Sequence, residues 1–154
     1  MSFRFIGLAP EPFASLWSLD DAALAVRHIR RVVADDDHGF PCRISLQDAC
    51  AGETLLLLPY PHHDVAGPYR AGGPIFVRRD VAQATYHDEV PPSFRRRLLS
   101  LRGYDAQGWM HRAEVVEGMR LEAVIDEFLS RADIACVHVH NARPGCFACR
   151  VERG

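Results

Sequence analysis

IACVHVHNARPGCFACRV, residues 134–151, is the stretch on which the reading of the fold turns. Apolar and small residues alternate as far as His140, Asn141-Ala142-Arg143-Pro144-Gly145 interrupts, and a second alternating run follows. Proline presets φ and glycine takes positive φ without a Cβ clash, so Pro144-Gly145 marks a turn. The segment predicts a C-terminal β-hairpin. Successive side chains on a strand point to opposite faces, which puts His138 and His140 on one side.

Upstream of that hairpin, Met119 to Ser130 predicts the clearest helix, because Leu121, Val124, Ile125, Phe128 and Leu129 fall on one stripe. Leu98 to Tyr104 and Trp109 to Val116 predict a second hairpin around Asp105-Ala106-Gln107-Gly108. Phe3 to Leu8, Ile29 to Ala34, Cys42 to Leu46, Thr54 to Tyr60 and Pro74 to Arg78 read as strands. Asp20 to Arg27 reads as a capped helix, and Pro91-Pro92-Ser93 as a short helical turn. Pro61 to Gly73 (PHHDVAGPYRAGG) is expected to be a long ordered loop. Strands and helices do not alternate regularly. The expected class is α+β, a mainly antiparallel sheet of about seven strands with two or three helices, in one domain over residues 1–154.

Composition narrows the function classes. A formal charge of −2 gives no electrostatic case for nucleic acid. No apolar run approaches the ~20 residues that cross a bilayer, and the N-terminus lacks a secretory pattern, so a cytoplasmic protein without a membrane partner is expected. All eighteen basic residues are arginine. Arginine is therefore the default cation here, which weakens each arginine as a sign of phosphate binding. The five cysteines are an odd number and are expected as free thiols.

Three constellations carry chemistry. His138-Val139-His140 can chelate a divalent ion, with a third ligand from His62, His63, Asp64, Cys42 or Cys146; the plainer reading is hydrogen bonding in a half-buried sheet face. Cys42 or Cys146 beside His138 or His140 would make a nucleophile and base, against inert packing. Gly67-Pro68-Tyr69-Arg70 with Gly72-Gly73-Pro74 lets backbone approach a ligand while arginine grips a carboxylate or phosphate, against a loop merely shaped by Pro and Gly. Cys146-Phe147-Ala148-Cys149 lacks the second pair of a zinc ribbon and reads as structural.

GFPCRISLQDA (39–49), PYRAGGPIFVR (68–78), LLSLRGYD (98–105) and VHVHNARPGCFACRV (137–151) resemble the bacterial family known as domain of unknown function 1203. The resemblance covers nearly the whole chain. It implies a compact bacterial domain and assigns no activity and no catalytic residues. In the family pattern position 63 is more often glutamine and position 149 more often alanine, which sets His63 and Cys149 outside the shared set.

The first expectation for function is a binding or catalytic pocket for a small anionic molecule between the 61–74 loop and the terminal hairpin. His138, His140 and Cys42 would be its catalytic groups. Tyr69, Arg70, Asn141, Arg143, Cys146 and Arg43 would bind the ligand, with Arg70 and His140 lining one concave site. That reading needs no cofactor. One alternative is a metal-dependent enzyme holding a divalent metal on His138, His140 and His62; another is a protein-interaction domain without catalysis. The oligomeric state is not legible.

Overall fold

The computed structural model describes residues 1–154. In chain order the strands are β1 (Phe3–Ile6), β2 (Arg30–Val33), β3 (Thr54–His63), β4 (Ala71–Arg78) and β5 (Thr85–His87). They continue with β6 (Leu98–Tyr104), β7 (Met110–Glu117), β8 (Cys136–Asn141) and β9 (Phe147–Arg153). The helices are α1 (Glu11–Ala14), α2 (Asp21–Val26) and α3 (Leu121–Leu129). The protein is α+β and mostly sheet. Six strands form an antiparallel sheet in the order β5-β1-β9-β8-β6-β7, and β2-β3-β4 form a second antiparallel sheet. The expected class, α+β with mainly antiparallel sheet and two or three helices, stands, with nine strands divided between two sheets.

Strand β8 is the centre of the architecture, and all six of its residues are buried. Alternation explains this. Val137 and Val139 share a core with Leu121, Val124, Ile125, Phe128 and Leu129, so the whole apolar stripe of α3 packs on that side. His138 and His140 point the other way, against His62 and His63 at the end of β3. The large sheet is therefore covered by a helix on one face and by the small sheet on the other. In the β8–β9 connection Gly145 takes φ +77°, which favours glycine. Its N–H donates to Asn141 O at 2.8 Å, and Asn141 N–H donates to Cys146 O at 2.9 Å.

The small sheet buries Leu56, Leu58, Ile75 and Val77 against Phe13, Leu24 and Ile29. Helix α2 begins where Asp20 accepts from Ala23 N–H at 2.8 Å, the expected cap.

Two expected elements differ. Cys42 to Leu46 is not a strand but a looped segment with isolated bridges Pro41–Asp48 and Cys42–Phe76. The chain reverses there, with Leu46 N–H bonded to Cys42 O at 3.0 Å and Leu46 at φ +56°. All five residues are buried, Cys42 and Ile44 in the core of the small sheet and Leu46 in that of the large one, so the apolar alternation reflects long-range packing of a loop. Pro61 to Gly73 is not one loop either, because β3 runs on to His63 and β4 starts at Ala71. Strand β2 pairs with β3 only as far as Leu57. Beyond that point β3 has a free side, so Pro59 and Pro61 break no ladder.

Candidate functional site

Two clusters of polar side chains meet at the terminal hairpin. The first lies between the sheets. Regular strands send neighbouring side chains to opposite faces, yet both His62 and His63 contact His138. The register of β3 shifts between Tyr60 and His63, and this irregularity turns both rings toward β8. A matching shift falls between Val139 and His140. Ring centroids are 4.9 Å apart for His62 and His140, 6.1 Å for His62 and His138, and 6.2 Å for His138 and His140. One ring nitrogen from each of these three lies within 4.8 Å of the other two.

The tautomer of His140 follows from its neighbour. Gly145 O accepts from His140 Nδ1 at 3.0 Å, so the proton sits on Nδ1 and Nε2 carries a bare lone pair. His140 Nε2, His138 Nδ1 and His62 Nδ1 are all buried without a hydrogen-bond partner. His63 is satisfied, donating from Nε2 to Gly108 O at 2.9 Å and stacking on Tyr104. Burial is the main force on the triad's protonation. It pulls His62 down to about 4, His138 to about 2 and His140 to about 3, and Arg102 and Arg150 push in the same direction. All three are neutral imidazoles at neutral pH.

The second cluster lines a cavity of about 530 Å³ between the 38–43 segment, β4, the start of β6 and the hairpin loop. Arg43, Arg96, Arg97, Arg143, Asn141 and Cys146 supply its polar wall. Arg43 is only 2% exposed. Its Nε donates to Phe147 O at 2.7 Å, Nη1 to Pro41 O at 2.6 Å and Nη2 to Cys146 Sγ at 3.1 Å. Asn141 Nδ2 donates to the same sulfur at 3.4 Å. Arg96 and Arg97 share one carboxylate, Asp48, at 2.8 and 2.6 Å. Arg143 is exposed and has no ion pair.

The structure thus brings Arg43, Asn141, Arg143 and Cys146 to one cavity, and His138, His140 and His62 to a separate cluster. Arg70 and His140 do not share a concave site, which corrects that expectation. Arg70 is exposed and pairs with Asp64 at 3.0 Å, while Tyr69 meets Trp109 edge-on at 5.8 Å. Both sit past the paired ends of β3 and β4, at the tip of the connection, and neither lines the cavity. Cys42 is also apart. It is 1% exposed in the core of the small sheet, where its Sγ accepts from Arg78 N–H at 3.3 Å. Arg96 and Arg97 were not foreseen. Their signal is the run Arg95-Arg96-Arg97, which the arginine-only composition conceals.

These features define an α+β protein with a histidine cluster between two sheets and an arginine-lined cavity beside it. A family model described as "Protein of unknown function (DUF1203)" matches residues 39–153, and the chain belongs to that family. The matched region contains the histidine cluster and the arginines, Asn141 and Cys146 of the cavity, whereas His38 at the cavity and β1, α1, α2 and β2 precede it. No curated protein and no solved structure matches the chain.

Proposed function

We propose that this protein binds a small anionic molecule, a carboxylate or phosphate, in the arginine-lined cavity. One observation carries the reading: four arginines contribute to the wall of a single cavity, and Asp48 is the one carboxylate paired with any of them. Buried charges are normally paired, since leaving one uncompensated is costly. Of these arginines the buried one, Arg43, has only carbonyl oxygens and a sulfur as partners, while the exposed Arg143 has no ionic partner. An anion would complete this set through charge-assisted hydrogen bonds, which the planar arginine fork makes in pairs. The cavity is of a size that suits small molecules. In this reading Arg43, Arg96, Arg97, Asn141, Arg143 and Cys146 form the binding wall, and Tyr69 and Arg70 have no part in it.

The test is thermal unfolding of the untagged protein titrated with inorganic phosphate and, separately, succinate at constant ionic strength. A ligand at 100 times its dissociation constant stabilises by about 2.7 kcal/mol. One of the two should give a saturable rise in melting temperature that Arg143→Ala abolishes without lowering the melting temperature of the free protein. If neither anion does so, or if the Arg143→Ala protein responds like wild type, the reading fails.

A further inference from the structure

We propose that His62, His138 and His140 form a binding site for one nitrogen-seeking divalent ion, typified by Zn²⁺, which ties β3 of the small sheet to β8 of the large one. The site is independent of the anion cavity, which none of the three residues lines. Three observations converge on it. One ring nitrogen of each histidine lies within 4.8 Å of the other two. Each ring also has a buried nitrogen without a hydrogen-bond partner. Buried polar atoms are rarely left so, and three orphaned imidazole nitrogens in one place call for a shared occupant. Finally, His140 donates from Nδ1 to Gly145 O, the arrangement by which a ligating histidine is oriented through its second nitrogen.

The donor set selects the ion. Neutral imidazoles suit Zn²⁺, Cu²⁺ and similar ions, while Mg²⁺ and Ca²⁺ seek oxygen. No carboxylate belongs to the cluster, and Arg102 and Arg150 add positive charge around it. Affinity must then come from nitrogen coordination rather than from acidic attraction. In a tetrahedral site with bonds of about 2.0–2.1 Å, the nitrogens stand about 3.3 Å apart, so binding draws the rings inward. His62 lies within the register shift of β3 and has no Cα partner on β4, whereas His138 and His140 are paired on both sides of β8. Three protein ligands leave the fourth position to water or an added molecule.

The experiment is titration of chelator-treated, untagged full-length protein with Co²⁺, read by visible absorption, followed by competition with Zn²⁺ and Mg²⁺. One Co²⁺ per chain with the intense bands of tetrahedral coordination is expected, displaced by Zn²⁺ and not by Mg²⁺. His62→Ala, at a partly exposed position, should weaken binding beyond the roughly 100-fold that loss of an outer-shell partner costs. His140→Gln should do the same, with circular dichroism reporting whether each variant is folded. Should His140→Gln not fold, His62→Ala decides alone. Absence of stoichiometric bands, displacement by Mg²⁺, or bands unchanged in His62→Ala would each overturn the proposal.

Discussion

Arg43 and Phe147 are joined by a 2.7 Å hydrogen bond from the guanidinium Nε to the backbone carbonyl, across 104 residues of chain. That bond fastens the 42–46 segment to the first residue of β9. The other two arms of the same guanidinium reach Pro41 O and Cys146 Sγ, so one side chain fixes the cavity wall at three points. Lysine cannot reproduce this fork, because its ammonium is a single point of charge. We expect Arg43→Lys to leave at least one buried acceptor unpaired and to cost about 1–3 kcal/mol by urea denaturation. An unchanged unfolding midpoint would show that the three-point contact does not hold the wall.

The packing of α3 on the large sheet gives a second prediction. Phe128 is fully buried among Leu121, Ile125 and Val137, with the Arg112 guanidinium carbon 4.8 Å from its ring centroid. Phe128→Ala removes a large apolar volume from a site walled by two strands. The expected loss is about 3–5 kcal/mol. A loss below about 1 kcal/mol would contradict the packing of this helix.

How far these features were legible depends on the range of the contacts that make them. The hairpin around Pro144-Gly145 and the stripe from Leu121 to Leu129 rest on signals within a few residues, and both stand in the structure. Cys42 to Leu46 misled because a loop buried by long-range packing can imitate the period of a strand. Pro61, expected to open a loop, misled because a proline ends a strand only where its N–H is needed, and that depends on how far β2 extends alongside. His62 was one of several third ligands for the histidine pair, since nothing local tells which residue of a distant strand will face β8. Arg96 and Arg97 had one local mark, the run Arg95-Arg96-Arg97, which a chain whose only basic residues are arginines makes uninformative. Their role follows only from sharing Asp48 beside the cavity.

The cysteines separate by exposure. Cys50 is exposed and Cys146 partly so, while Cys42, Cys136 and Cys149 are buried, and all five are free. Burial also pushes the thiols of Cys136 and Cys149 up, which further suppresses their thiolate. An aromatic disulfide reagent at mildly alkaline pH should therefore modify two thiols in the native protein and all five after denaturation. Fewer than five in the denatured protein would mean a disulfide that the structure lacks. Three or more fast thiols in the native protein would mean that a buried cysteine is accessible.

Acid should unfold the metal-free protein through the triad. The folded pKa values, about 4 for His62, about 3 for His140 and about 2 for His138, all lie below the unfolded value of about 6.5. The unfolded chain therefore binds protons that the folded chain refuses, and stability rises with pH across this interval. Stability gained from keeping the rings neutral is complete above about pH 6.5 and is lost as pH falls toward the folded values. The charged groups that bear on the rings are Arg102, Arg150, Arg43 and the neighbouring histidines, and all favour neutrality; the Gly145 carbonyl alone opposes them, at His140. Each ring contributes a slope of at most about 1.4 kcal/mol per pH unit, so the three approach about 4 between roughly pH 6 and 4. Urea unfolding of chelator-treated protein at intervals from pH 7.5 to 4.5 measures that slope. His138→Gln, which retains a polar side chain but cannot be protonated, should flatten it by about a third. A wild-type slope near zero, or one that His138→Gln leaves unaltered, would mean that these histidines are not held neutral by the fold.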